Sequence, residues 1–308
     1  MKDLLNETKK IDVPSLIALR TIFTNSSLIR LIQAGLSKED IFNLSFDELR
    51  SFKFRDKDKY INDLDQIDQK IMGSSDLIEW CEEEDIKIIS IFDEIYPERF
   101  LSIKTPPVLL FCKGNENLLN EPFSVCVVGT REPSDLGLEI TSKIASFFAK
   151  EKINIISGLA MGIDEAAHKA AISVSGQTTA VLVDIKNISP SRNKKLAQDI
   201  ILNNGLLFSE NIPGSTKGES FLYLDRNRLQ SALSSSLFLI ESSLKSGTAT
   251  TCRHALEQKR KIYCPNLSSV NSSDFNDGLA NELLKKNQAE KITAKDYLRI
   301  LKLIKNVG

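Results

Sequence analysis

The stretch Ile156-Ser157-Gly158-Leu159-Ala160-Met161-Gly162-Ile163-Asp164 closes one short apolar run and opens a helical one. A strand that ends in small residues and passes directly into a helix is the βα turn of a parallel sheet. Two other stretches are built the same way. One is Val127-Val128-Gly129-Thr130-Arg131, followed by Glu132-Pro133-Ser134-Asp135-Leu136-Gly137; the other is Ile240-Glu241-Ser242-Ser243-Leu244-Lys245-Ser246-Gly247-Thr248. Outward from these turns, short apolar runs recur at Ile86–Phe92, Val108–Phe111, Ser124–Val128, Ile153–Ser157, Thr178–Val183, Leu206–Ser209, Leu237–Glu241 and Lys261–Cys264. Helical patterns separate most of them: Leu136–Lys150, Glu165–Val174, Lys194–Asn203 and Ala249–Lys259. The alternation predicts α/β architecture with a doubly wound, mostly parallel sheet, whose ligand site lies at the C-terminal strand ends where the strand order reverses.

Residues 1 to 73 read differently. Ser15–Arg20 and Ser27–Ile32 have helical spacing, Gly35 suits a helix stop, and Ser37-Lys38-Glu39-Asp40 and Ser45-Phe46-Asp47-Glu48 have the capping-box pattern. The expected organisation is a small all-helical domain over 1–73 and a doubly wound domain over 74–308. At 308 residues and 42% hydrophobic the chain has enough apolar content for both. There is no run of about 18 apolar residues, so no membrane span is expected, and the N-terminus lacks the apolar segment of a signal peptide. The five cysteines are odd in number and form no C-x-x-C pair, which suits buried reduced thiols in a cytoplasmic protein. With only His168 and His254 as histidines, a zinc site is poorly supported, and no metal or cofactor is expected.

The formal net charge of −1 conceals an asymmetry: residues 1–120 carry 16 basic against 22 acidic side chains, and residues 121–308 carry 24 against 19. The basic half contains the glycine-rich turns. Each turn offers backbone amides, a helix N-terminus and Ser or Thr hydroxyls, the components of a phosphate site. None matches a strict G-x-G-x-x-G or G-x-x-x-x-G-K-[ST] pattern. Cations stand nearby: Arg131, then Lys186, Arg192, Lys194 and Lys195, then Arg226-Asn227-Arg228 downstream of Phe221 and Tyr223, an aromatic-and-basic segment suited to nucleic acid. Asp164 and His168 share a helix face; the preferred reading is an N-cap and a packed histidine, the alternative an acid–base or metal pair. Glu241 reads as a structural acceptor before a general base. No nucleophile elbow is visible.

Several of these segments together resemble the DNA-processing protein A (DprA/Smf) family. Val128–Gly137 is similar to its V-G-S-R-x-x-S-x-Y-G motif, and Ser157–Asp164 with His168 to S-G-x-A-x-G-I-D-x-x-A-H. Pro190–Leu196 resembles P-x-x-N-x-x-L, Phe208-Ser209-Glu210 with Pro213-Gly214 resembles S-E-x-P-x-G, and Phe221 with Arg226-Asn227-Arg228 resembles F-x-x-R-N-R. Ser246-Gly247-Thr248 with Ala255, Glu257 and Arg260 follows the family's last motif, and Tyr96-Pro97 with Pro107–Phe111 and Gly114 its lead-in. The resemblance runs over about 75–298. Departures are Ser189-Pro190 for Tyr-Pro, Pro265-Asn266 for Pro-Gly, and Lys259 for the glycine before Arg260.

The resemblance implies an extended Rossmann-like fold preceded by a SAM-like helical domain, with no C-terminal winged helix. It implies a non-catalytic, cytoplasmic homodimer that binds single-stranded DNA without reading sequence and helps load the RecA recombinase in natural transformation. Carried over by position, the DNA-contacting residues are Thr130, Arg131, Ser157, Gly158, Gly162, Arg192, Asn193, Arg226, Asn227, Arg228, Ser246, Gly247 and Thr248. The turns would take phosphates through amides and hydroxyls, and the arginines would neutralise them. The alternative is a nucleotide-binding enzyme or sensor akin to nucleoside monophosphate hydrolases. Its P-G-G-x-G-T-x-x-E signature has lost the leading glycines and the Glu at Ser246–Thr251.

Overall fold

Side-chain caps start the N-terminal helices where the sequence places them. The computed structural model describes residues 10–52, 54, 60, 63–64, 66–216, 218–266 and 274–306. Helix α1 (Val13–Ile22) begins with the Asp12 carboxylate accepting from the Ser15 amide at 3.0 Å, and Thr24 caps α2 (Asn25–Gln33) in the same way. Reciprocal capping boxes, Ser37 with Asp40 and Ser45 with Glu48, start α3 (Lys38–Phe42) and α4 (Phe46–Ser51). Gly35, at φ +79°, ends α2: the Gly35 amide donates to Ile32 O at 2.9 Å and the Leu36 amide to Leu31 O at 3.3 Å, a Schellman closure.

The packing divides the chain elsewhere than the expected 73/74 boundary. Helix α5 (Ile67–Glu83) runs unbroken through that point and packs on α1. The first unit extends through β1 (Ile86–Ser90), α6 (Glu98–Leu101) and most of β2 (Leu109–Gly114), ending at Cys112, and takes in Glu210–Ile212. Buried Asn25 ties that unit together. Its Oδ1 accepts from the Val108 amide at 3.1 Å, and its Nδ2 donates to Glu210 Oε2 at 2.5 Å.

The second unit comprises Lys113–Ser209 and Pro213–Gly308. Strand and helix alternate through it: β3 (Ser124–Val128), α7 (Asp135–Lys150), β4 (Asn154–Ser157), α8 (Ile163–Ile172), β5 (Thr178–Val181), α9 (Lys194–Leu202), β6 (Leu206–Ser209), α10 (Ser220–Leu233), β7 (Ser236–Leu239), α11 (Gly247–Glu257), β8 (Lys261–Pro265), α12 (Gly278–Lys285), β9 (Glu290–Ile292) and α13 (Tyr297–Lys305). The strands lie in the order β6-β5-β4-β3-β7-β8-β9, and the pairs are parallel. The chain therefore winds outward from β3 to β6, returns to β3's other edge as β7, and winds outward again. The switch point lies between β3 and β7.

Side-chain alternation along β3 builds both faces. Val125 and Val127 pack with Ile144 and Phe148 of α7, Ala167 of α8 and Ile300 of α13; Cys126 and Val128 pack with Cys252 and Ala255 of α11 and Leu283 of α12. All five cysteines are buried and unbridged. Among the helices and strands described for the second unit, four lie outside the expected set: α10, α12, β9 and α13. Helix α10 carries no apolar stripe because its C-terminal half buries polar groups, Arg226, Asn227, Arg228 and Gln230 among them. Phe148 is fully buried, with ring centroids 5.0 Å from Phe238 and 5.2 Å from Phe147. Phe148→Ala is expected to cost about 3–5 kcal/mol, read as a lower urea midpoint at unchanged slope.

Candidate functional site

The three glycine-rich turns meet at the switch point, joined by backbone. The Thr130 amide donates to Glu241 O at 2.7 Å, the Ile163 amide to Thr130 O at 3.2 Å, and Thr248 Oγ1 to Gly129 O at 2.9 Å. Gly162 makes the approach possible. It sits at φ +78°, and a Cβ there would lie 2.5 Å from Thr130 O and 2.7 Å from Arg131 C and O. Any larger residue pushes the first and second turns apart.

Glu241 is the bracket behind the first turn. Its Oε2 accepts from the Ser134 amide at 3.0 Å and Ser134 Oγ at 2.9 Å, and its Oε1 from the Asn276 amide at 3.0 Å. This is the structural acceptor the sequence favours for it.

The turn after β4 is held by two buried charges. Asp164 Oδ2 accepts from the amides of Gly158 at 3.1 Å and Ala160 at 3.3 Å. From the other side Arg226 Nη1 donates to Gly158 O at 2.9 Å and also to Val181 O, and Nε donates to Asn227 Oδ1 at 3.2 Å. Burial pushes the Asp164 carboxyl above the usual carboxylate value against the pull of Arg226; burial likewise lowers Arg226, opposed by Asp164. Asp164 is the second residue of α8, behind a Gly162 cap, and serves the amides upstream of the helix instead of capping it. Asn193 Nδ2 braces the same turn through Leu159 O at 2.9 Å.

Around these turns lies a crevice of about 730 Å³, walled by Gly129–Glu132, by Gly158, Ala160 and Met161, and by the starts of α10 and α11. Thr130, Arg131, Gly158, Arg226, Asn227, Ser246, Gly247 and Thr248 line it. Arg131 is exposed, with no carboxylate at ion-pair distance among the described residues. At the start of α11 Ser246 Oγ accepts from the Ala249 amide at 3.3 Å, and Asn227 Nδ2 donates to Gly247 O at 3.2 Å. The amides of Gly247 and Thr248, in the first helical turn, have no intrahelical acceptor.

The remaining expected residues stand back from the crevice. The Ser157 hydroxyl donates to Val127 O at 2.7 Å and is fully buried. Exposed Arg192 pairs with Glu165 at 2.7 Å. Arg228 is buried and turns toward Asp225, 3.0 Å to its carbonyl and 3.5 Å to its carboxylate. Tyr223, named with the aromatic-and-basic segment, lines the crevice, as do Leu224 and Gln230, which were not singled out for it. With Asn227 their spacing of one, three and three residues traces one face of a helix, a signal present in the sequence once α10 is recognised.

His168 lies fully buried in α8. Thr178 Oγ1 donates to Ile155 O at 2.6 Å, so the 2.7 Å contact between His168 Nδ1 and Thr178 Oγ1 makes Nδ1 the donor and leaves Nε2 bare and unpartnered. Burial, reinforced by the Arg226 charge, lowers its pKa from 6.5 to about 3. The ring is packed and neutral, as the sequence favours, and no group of three or more metal-ligating side chains occurs among the described residues.

The fold and site thus define a doubly wound, Rossmann-like protein with a crevice at its topological switch point that exposed Arg131 lines. The chain belongs to the family of DNA recombination-mediator protein A, which it matches over residues 87–302. It is 39% identical over 175 residues to the DNA processing protein DprA of Streptococcus pneumoniae R6 (56% of this chain) and 35% identical over 182 residues to that of Bacillus subtilis 168 (59% of this chain). In both cases the match spans 61% of the relative's length. Among solved structures, DprA from Streptococcus pneumoniae superposes with a TM-score of 0.77 at 30% identity, covering 95% of this chain and 98% of that one. DprA from Helicobacter pylori, described for its single-stranded DNA binding mode, gives 0.61 at 29% identity, over 71% of this chain and 96% of that one.

The His168 environment sets a pH dependence. Between pH 6.5 and about 3 the unfolded chain binds a proton at His168 that the folded chain excludes. Its contribution is complete above the unfolded value and is lost as pH falls through that window, by up to about 1.4 kcal/mol per pH unit. The raised carboxyl of Asp164 acts in the opposite sense. Urea unfolding at about pH 7 and about pH 5 is expected to show this loss, and His168→Gln is expected to flatten it.

Proposed function

We propose that the chain binds single-stranded DNA, without reading its sequence, in the crevice at the switch point. The observation that carries this reading is Arg131: an exposed guanidinium, unpaired among the described residues, on the rim of a 730 Å³ crevice that also receives the N-terminus of α11. A phosphate there gains a cation and helix amides together. Tyr223 and Leu224 offer apolar faces to a base, and base stacking is tolerant of sequence. The single-stranded DNA binding ascribed to the Helicobacter pylori relative supports the reading.

The role is non-catalytic on this reading. Asp164, His168 and Glu241, the titratable candidates near the turns, all have hydrogen-bonding roles inside the fold. By family membership the chain acts in DNA processing and recombination; loading of RecA during natural transformation, action as a homodimer and a cytoplasmic location are the finer parts of the proposal. No helix among the described residues is long and apolar enough to cross a membrane.

Oligo-dT binding followed by fluorescence anisotropy across a salt series tests the reading. The log of the binding constant is expected to fall linearly with log salt, by about 0.7 per neutralised phosphate. Arg131→Gln is expected to weaken binding and lower that slope by about 0.7, with an unchanged melting temperature. Absent binding, or binding indifferent to salt, sinks the proposal.

A further inference from the structure

Next to the Arg131 crevice lies a second hollow of about 490 Å³, within the roughly 300–1,000 Å³ usual for ligand sites. The two share Gly158, Ser189, Gly218, Tyr223 and Arg226, so they adjoin as one trough with Tyr223 in the common wall. We propose that this second chamber is a further subsite, taking the base of the nucleotide adjacent to the one held at Arg131. The proposal rests on the single-stranded DNA reading.

The chamber's chemistry fits a base. Asp184 lines it, and its carboxylate, kept ionised by protein donors, is taken up in holding the wall. Both of its oxygens are engaged. Oδ1 accepts from the amides of Lys186 at 2.9 Å, Asn187 at 3.2 Å and Gly214 at 3.1 Å, and Oδ2 from Asn187 Nδ2 at 3.0 Å and Thr216 Oγ1 at 2.9 Å. These bonds fasten the 184–187 turn to the 214–216 loop and fix the chamber's outer wall. Leu182, Val183 and Ile188 supply apolar surface, and the Tyr223 ring supplies an aromatic one.

A base also needs its phosphate held. Lys194, exposed at the start of α9, is the lysine lining the chamber, and no carboxylate stands at ion-pair distance from it among the described residues. Arg131 lines the crevice and Lys194 the chamber, with Tyr223 common to both. A strand laid along this trough meets cation, stacking surface and cation in turn.

The test compares oligo-dT with an abasic oligonucleotide of the same length, using the full chain. Ser191 is exposed and lines the chamber without lining the crevice, so Ser191→Phe fills the one and spares the other. It is expected to weaken oligo-dT binding about tenfold while leaving the abasic strand within about twofold. Lys194→Gln is expected to weaken both strands and lower the salt slope by about 0.7. The subsite is overturned if Ser191→Phe binds oligo-dT as the unaltered chain does, if it loses both strands equally, or if Lys194→Gln leaves the slope unchanged. Failure of the unaltered chain to bind either strand overturns the single-stranded reading, and the subsite with it.

Discussion

One residue, Gly158, is held from both sides by buried charge: Asp164 takes its N–H and Arg226 its C=O. Two ions out of water are costly unless they attract each other and every polar atom finds a partner. Here the partners are backbone: Gly158 and Ala160 amides for the carboxylate, Gly158 and Val181 carbonyls for the guanidinium. The arrangement explains the glycine without invoking its φ. A Cβ at 158 would lie 2.7 Å from Arg226 Nη2 and 2.8 Å from Asp164 Oδ2, so a side chain and the two charges exclude each other. Because Arg226 reaches from α10 across to the ends of β4 and β5, the same contacts fix the floor common to both chambers.

The consequence is a redistribution of roles among the basic residues. Arg226 and Arg228 are interior and answer to the fold, and Arg192 is paired to Glu165, which also accepts from Lys169. The burial of Glu165 opposes its ionisation, yet those two cations keep its carboxyl below the ordinary value. Of the cations clustered in the sequence, Arg131 and Lys194 are the exposed ones that line the trough, neither with a carboxylate at ion-pair distance among the described residues. On the proposed reading few phosphates are neutralised there, and stacking supplies much of the affinity. The net charge of −1 says little about such a site, since its contribution is local.

What could be read in advance follows from where side-chain type and environment agree. Ser124–Val128 and Leu206–Ser209 are apolar and fully buried, and their boundaries coincide with the strands. The Ser37 and Ser45 caps announce themselves through the acid three residues on. Helix α10 fails that test because Arg226, Asn227 and Gln230 are polar residues in a polar interior, invisible to a search for apolar periodicity. Strand β9 is three residues long with Glu290 and Lys291 exposed, too short and too charged to register. Helix α13, by contrast, carries Ile300, Leu301 and Ile304 at plain helical spacing. In the site, the turns and Arg131 were legible from residue type. The division of labour among the arginines was not, because burial depends on a helix the apolar pattern does not reveal.

The backbone donors are sorted by the same geometry. Amides of Gly158 and Ala160 go to Asp164, those of Thr130 and Ser134 to Glu241, and that of Glu132 to Thr130 Oγ1 at 3.2 Å. The first and second turns therefore commit part of their N–H groups to the fold, and the first turn of α11 adds amides that have no intrahelical acceptor. Gly247 bears this out by contrast with its counterparts. A Cβ at Gly162 would collide with backbone, whereas one at Gly247 would meet only Leu224 Cδ2 at 3.8 Å. Nothing inside the protein demands glycine at 247. Its missing side chain leaves the backbone open on the crevice side, which on the proposed reading lets a phosphate come close enough to reach the helix amides.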